Sequence, residues 1–148
     1  MANVNSGYGD GQPYILPDGS ALYFVSFRPG AGDADIYRSS FQAGQFGPPV
    51  IVSTINTPLP EYTPTPTADE LAIYFASNRA DAPAKGSFDI WMAKRASRSA
   101  NFDPPVNIQE LNTANLEEPS WISPDKCRLY FTRYGATGYK IFVASRSP

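Results

Sequence analysis

Glu117 and Glu118 stand side by side, and Glu61 and Asp10 hold the corresponding places earlier in the chain. Paired carboxylates do acid–base chemistry when their environments pull their pKa values apart. These four are therefore the candidates for proton transfer at a sugar or for ligand binding, although an exposed, solvated loop also produces such acids. They fall just before a strand and are expected near one mouth of a central channel. Tyr14, Thr65 and Trp121 share one equivalent position on those strands. An aromatic there can stack on a sugar or peptide, or pack between neighbouring sheets. Arg28 with Asp35 and Arg79 with Asp89 bracket a loop, and their recurrence at fixed register favours structural salt bridges over a binding face.

Other chemistry is excluded. The chain has no histidine, which removes a histidine general base, Ser-His-Asp and Cys-His nucleophiles and histidine metal sites. Cys127 is the single cysteine, so there is no internal disulfide or cysteine zinc site, and nothing activates the thiol. Asp33-Ala34-Asp35 resembles the start of a calcium loop but lacks the later glycine and bidentate glutamate. Tyr8-Gly9-Asp10-Gly11 falls short of a phosphate-binding pattern. No metal and no cofactor is expected. A net charge of −2 gives no basic field for nucleic acid. No apolar run reaches the roughly 18 residues of a membrane span, and no secretory signal opens the chain; its location stays unassigned.

The elements that must position these residues come from a repeat. Length alone, at 148 residues, suggests one domain, and 15 prolines and 11 glycines suggest many turns. Leu16-Pro17-Asp18-Gly19-Ser20-Ala21-Leu22-Tyr23-Phe24 aligns with Thr67 to Phe75 and with Ser123 to Phe131, the aspartates lying 51 and 56 residues apart. Downstream, Asp35-Ile36-Tyr37 recurs as Asp89-Ile90-Trp91 and Lys140-Ile141-Phe142, where Trp91 reads as core. Phe46-Gly47-Pro48-Pro49-Val50 through Ile55-Asn56-Thr57 recurs as Phe102 to Val106 through Leu111-Asn112-Thr113. Asn5 lies seven residues before Gln12, as Asn56 does before Thr63, so Val4-Asn5-Ser6 matches the tail of a fourth strand. Short aromatic and β-branched runs between Pro, Gly and Asp read as strands, and the three aspartates read as turn caps. The spacing predicts an all-β chain of eleven strands. Its units run over about 7–45, 46–101 and 102–148, the last two each led by their outer strand, after a strand stub at 1–6. Four-strand repeats of about 50 residues are propeller blades.

The pattern Pro-Asp, Tyr-Phe, Ser-x-Arg, Asp-Ile-aromatic, Phe-x-Pro-Pro-Val and Leu-Asn-Thr resembles the TolB-like (WD-repeat-like) β-propeller repeat over essentially the whole chain. The resemblance implies a non-catalytic binding or scaffold module, from a family often found in the bacterial periplasm or at the cell surface. In the third copy Arg133 takes the Ser position, Gly135 the Arg position and Lys140 the Asp position, which implies no equivalent ion pair there. Propellers have about 4 to 8 blades, and three blades doubled give six. A homodimer closing a six-bladed ring is thus expected, either as a natural protein or as a half-propeller cut from a longer parent. Its ligand would be a peptide or glycan on the loops 29–33, 57–62, 80–87 and 113–118. The alternative is a carboxylate-dependent glycan hydrolase or lyase using Asp10, Glu61 and Glu117.

Overall fold

The structure is a computed structural model and describes residues 3–81 and 83–146. Met1, Ala2, Ala82, Ser147 and Pro148, which the sequence reading places in the stub, the 80–87 loop and the end of the third unit, lie outside the described residues. Among the described residues twelve strands are present: β1 (Asp10–Ile15), β2 (Ala21–Ser26), β3 (Asp35–Gln42), β4 (Gln45–Phe46), β5 (Val50–Ile51), β6 (Glu61–Pro66), β7 (Ala72–Ser77), β8 (Asp89–Lys94), β9 (Val106–Asn107), β10 (Leu116–Ile122), β11 (Arg128–Gly135) and β12 (Gly138–Ser145). There is no helix among the described residues. Eleven of these strands are the expected ones, and β4 is a short hairpin continuation of β3.

The strands form three antiparallel sheets. The first runs β1-β2-β3 with both β4 and β5 on β3; the second runs β6-β7-β8-β9; the third is β10-β11-β12. The outer strands therefore close the sheet before them: Val50 and Ile51 pair with Arg38 and Tyr37, and Val106 and Asn107 with Met92 and Trp91. Counting them as leaders of the following unit places them in the wrong sheet. Chain order is blind to this, because a connecting strand has a neighbour on either side. Their brevity has a local cause. Pro48-Pro49 and Pro104-Pro105 precede them, and proline offers no N–H to a ladder.

The turns follow the sequence reading. Asp18, Asp69 and Asp125 each accept at Oδ1 the backbone N–H two residues on, from Ser20 at 2.9 Å, Leu71 at 3.1 Å and Cys127 at 3.0 Å. The next residue is left-handed in all three copies: Gly19 at φ 70°, Glu70 at 58° and Lys126 at 61°. Glycine takes this conformation freely. The other two turn their side chains toward the preceding sheet, where Lys126 Nζ meets Asp69 and Glu70 meets Tyr23 and Arg38.

Apolar faces stack the sheets. Leu16, Tyr23, Val25 and Ile36 of the first pack on Ile73, Phe75 and Trp91 of the second. Ile90 and Tyr74 of the second pack with Ile122, Leu129 and Phe131 of the third. Trp91 is core, as the sequence indicates.

Candidate functional site

The acids at the head of each first strand each meet an arginine, two of which the sequence reading paired with Asp35 and Asp89. Arg28 Nη2 donates to Asp10 Oδ1 at 2.9 Å and to the Val4 carbonyl at 2.7 Å. Arg79 Nη2 donates to Glu61 Oε1 at 3.0 Å and to the Ile55 carbonyl at 2.5 Å. In the third sheet Arg133 donates through Nε to Glu117 Oε1 at 2.7 Å and through Nη2 to the Leu111 carbonyl at 2.8 Å. Each guanidinium also lies over two rings of its own sheet: Phe24 and Tyr37, Phe75 and Trp91, Phe131 and Phe142. The opposite side of each carboxylate accepts the backbone N–H of Ser6, Thr57 or Thr113. One node thus ties the tail of a fourth strand, the head of a first strand and the end of a second.

The pairings of Arg28 with Asp35 and of Arg79 with Asp89 are corrected by this geometry. Asp10 lies directly across from Ser26 and Glu61 across from Ser77, and the arginine two residues beyond each serine folds back through Nε onto that serine. The side chain is thereby aimed at the first strand rather than the third. Asp35 instead accepts the N–H groups of Ala31 and Gly32 at 2.7 and 3.2 Å, and Asp89 those of Lys85 and Gly86 at 2.7 and 2.9 Å. Both turn the loop that precedes them. The third sheet keeps its node with Gly135 at the arginine position because Arg133, standing at the serine position, is itself the cross-strand neighbour of Glu117.

Burial sets the electrostatics. Glu61 and Glu117 are fully buried rather than part of an exposed acidic loop. Burial raises the Glu61 pKa, against hydrogen bonds from Thr57 and Ser77 and the charge of Arg79. It pulls the other way at Arg79, which it lowers. At Asp10 burial also opposes the charge, but hydrogen bonds from Ser26, Ser6 and Arg28 overcome it and hold the carboxyl well below the ordinary range. Burial raises the pKa of half-buried Glu118. Thr65 is buried, with its hydroxyl bonded to the Thr63 carbonyl at 3.1 Å, so it presents nothing to a ligand. Tyr14 is half-buried against the first core, and Trp121 is exposed beside Tyr130, ring centroids 5.6 Å apart.

The structure brings the expected loops together in pairs. A Cβ on Gly32 would stand 2.5 Å from the Thr57 carbonyl oxygen, and one on Gly86 1.8 Å from that of Asn115. Ser87 also donates its N–H to Asn115 O at 3.1 Å. The loop between second and third strands of one sheet therefore rests on the loop entering the next.

An uncovered apolar face ends the third sheet. On β11 and β12, Tyr130, Thr132 and Tyr134 lie across from Val143, Ile141 and Tyr139 and share one face, which Trp121 of β10 extends beside Tyr130. Ile141 is 80% exposed, whereas its repeat equivalents Ile36 and Ile90 are 0% exposed. The repeat alignment, which sets Ile141 in the slot of Ile36 and Ile90, is the signal for it in the sequence.

No family model and no curated protein matches the sequence. Solved structures do match by shape. A putative TolB from Agrobacterium tumefaciens superposes with a TM-score of 0.61 at 16% identity, over 90% of this chain and 42% of that one. A Hadza microbial sialidase gives 0.57 at 10% identity, over 91% and 35%. One of two prolyl endopeptidases studied for inter-domain dynamics gives 0.53 at 15% identity, over 97% and 21%. These likenesses show a β-propeller fold. The chain spans less than half the length of each of these neighbours.

Proposed function

We propose that this chain is a non-catalytic propeller scaffold that closes a six-bladed ring with a second copy and presents its paired loops to a peptide or glycan. The exposure of Ile141 carries the reading, because the same isoleucine is fully buried at both internal boundaries. Contiguous exposed apolar surface of this kind marks an interaction site. The internal boundaries indicate the occupant: each open face of this type is covered by the first strand of a following sheet, and β1 is such a strand with no sheet before it among the described residues.

A polar latch supports the same partner. Asn56 and Asn112 bond the backbone of Ile36 and Ile90, and exposed Asn5 holds the equivalent place in the repeat. In a closed ring it would meet Ile141 of the other copy. Against an enzyme stands the engagement of Asp10, Glu61 and Glu117 by their own arginines, which occupies the three acids that an acid–base mechanism would use.

Sedimentation equilibrium tests this. The expected mass is twice the chain mass of 16.1 kDa, falling to the single mass in Ile141→Asp and dissociating more readily in Asn5→Ala. A wild-type protein that stays monomeric at micromolar concentration sinks the proposal.

A further inference from the structure

At the boundary between the first and second sheets, arginines crowd one buried carboxylate. Glu70 Oε1 accepts from Tyr23 Oη and Arg38 Nε, each at 2.7 Å, and Oε2 accepts from Arg38 Nη2 at 3.2 Å. These bonds satisfy the carboxylate. Two further guanidinium groups, those of Arg95 and Arg98, still stand 3.5 Å from it without a hydrogen bond to its side chain. Arg98 has one other acid near it, Asp18 at 3.6 Å, half exposed at the rim. Three guanidinium groups against two carboxylates leave one cation in excess, within a chain of net charge −2.

Arg95 is the informative member. Its side chain is 7% exposed, held by Nε on the Glu70 carbonyl at 2.6 Å and by its face on the Phe102 ring. Its Nη2, the atom 3.5 Å from Glu70 Oε1, is buried and makes no hydrogen bond. A buried donor without a hydrogen bond is costly, and such a group calls for an acceptor.

All three arginines line one cleft of about 400 Å³ that no carboxylate lines, and Pro48, Val50 and Ile51 of the first sheet's outer edge contribute apolar wall. That size is in the range of small-molecule sites. The fold does not need the cluster: at the next boundary Met92 and Lys126 hold the places of Arg38 and Glu70, and those sheets pack without it.

The geometry points to a binding site for a small organic anion in this cleft, its carboxylate or phosphate head on Arg95 and Arg98 and its apolar body against Pro48, Val50 and Ile51. Guanidinium groups bind both heads through paired hydrogen bonds. The site lies within one chain, so its test is independent of ring closure.

Calorimetric titration at constant ionic strength, with phenyl phosphate, benzoate, inorganic phosphate and uncharged benzyl alcohol, decides it. Saturable one-to-one binding of phenyl phosphate or benzoate is expected, and whichever binds tighter identifies the head group. Inorganic phosphate should bind more weakly than phenyl phosphate, and benzyl alcohol should not bind. Arg98→Gln, at a half-exposed position that leaves Glu70 its bonds, should weaken binding about tenfold, while the distant Lys85→Gln should not. The site is refuted if neither aromatic anion saturates at millimolar concentration, if benzyl alcohol binds as well as they do, or if the two variants lose affinity equally.

Discussion

Asn56 bonds both backbone groups of Ile36 with a single side chain. Its Oδ1 accepts the Ile36 N–H at 2.8 Å and its Nδ2 donates to the Ile36 carbonyl at 2.9 Å. Asn112 does the same to Ile90 at 2.8 and 2.9 Å. A residue just past a two-residue outer strand thus finishes the ladder that the strand leaves incomplete. Each buried amide is worth keeping, because an unpaired backbone group away from water costs as much as a lost hydrogen bond.

Replacing Asn56 by Ala should accordingly strand the N–H of a fully buried isoleucine, while its carbonyl keeps the Val52 N–H at 3.0 Å. The expected loss is about 1–3 kcal/mol. Urea unfolding checks it: the midpoint should fall while the slope stays unchanged. An unaltered midpoint would show that water replaces the amide without cost.

The three carboxylate–arginine nodes should differ in sensitivity. Arg79 and Glu61 are both buried, with side-chain exposures of 6% and 0%, so Glu61→Ala leaves an uncompensated guanidinium and should cost about 3–5 kcal/mol. Arg28 and Asp10 keep 18% and 12% exposure, and water can reach the orphan in Asp10→Ala. That loss should be the smaller of the two in the same unfolding assay, and the reverse order would contradict the burial argument.

The contrast between these nodes marks how far the sequence carries. The repeat register, the aspartate turns at 18, 69 and 125, the eleven strands and the match of Val4-Asn5-Ser6 to Ile55-Asn56-Thr57 are legible, because each depends on local spacing. The Arg28–Asp10 pair was not: its members are 18 residues apart while Asp35 is seven away, and only the fold-back onto Ser26 redirects the guanidinium. Sheet membership of β5 and β9 was hidden for a similar reason. The Glu70 cluster lacked any motif, since its arginines come from β3 and from the segment after β8, and meet only when two sheets stack.

The loop pairs make a steric prediction. Gly86→Ala would drive a Cβ to within 1.8 Å of the Asn115 carbonyl oxygen and 2.9 Å of that of Thr113. Both atoms are backbone, so one loop must move away from the other. A cost of about 1–3 kcal/mol is expected for such overpacking, read as a lower Tm, together with faster amide exchange at Ser87, whose N–H bonds Asn115. Gly11→Ala, where a Cβ meets nothing within 4 Å, is the control.

Acid should loosen the boundary between the second and third sheets. Burial disfavours the Asp69 charge, but the Lys126 ammonium, the Thr67 hydroxyl and the Leu71 N–H prevail and lower its pKa from 3.8 to about 2. A depressed carboxylate contributes stability that is present above its unfolded value of 3.8 and is lost as pH falls through the folded one. Glu61, whose pKa is raised, has the opposite sign, so the wild-type curve alone mixes the two. The difference between wild type and Asp69→Asn isolates Asp69. That difference in unfolding free energy should be constant at neutral pH and shrink between pH 3.8 and about 2. If it stays constant down to pH 2, the Lys126 tie contributes nothing to holding the second and third sheets together.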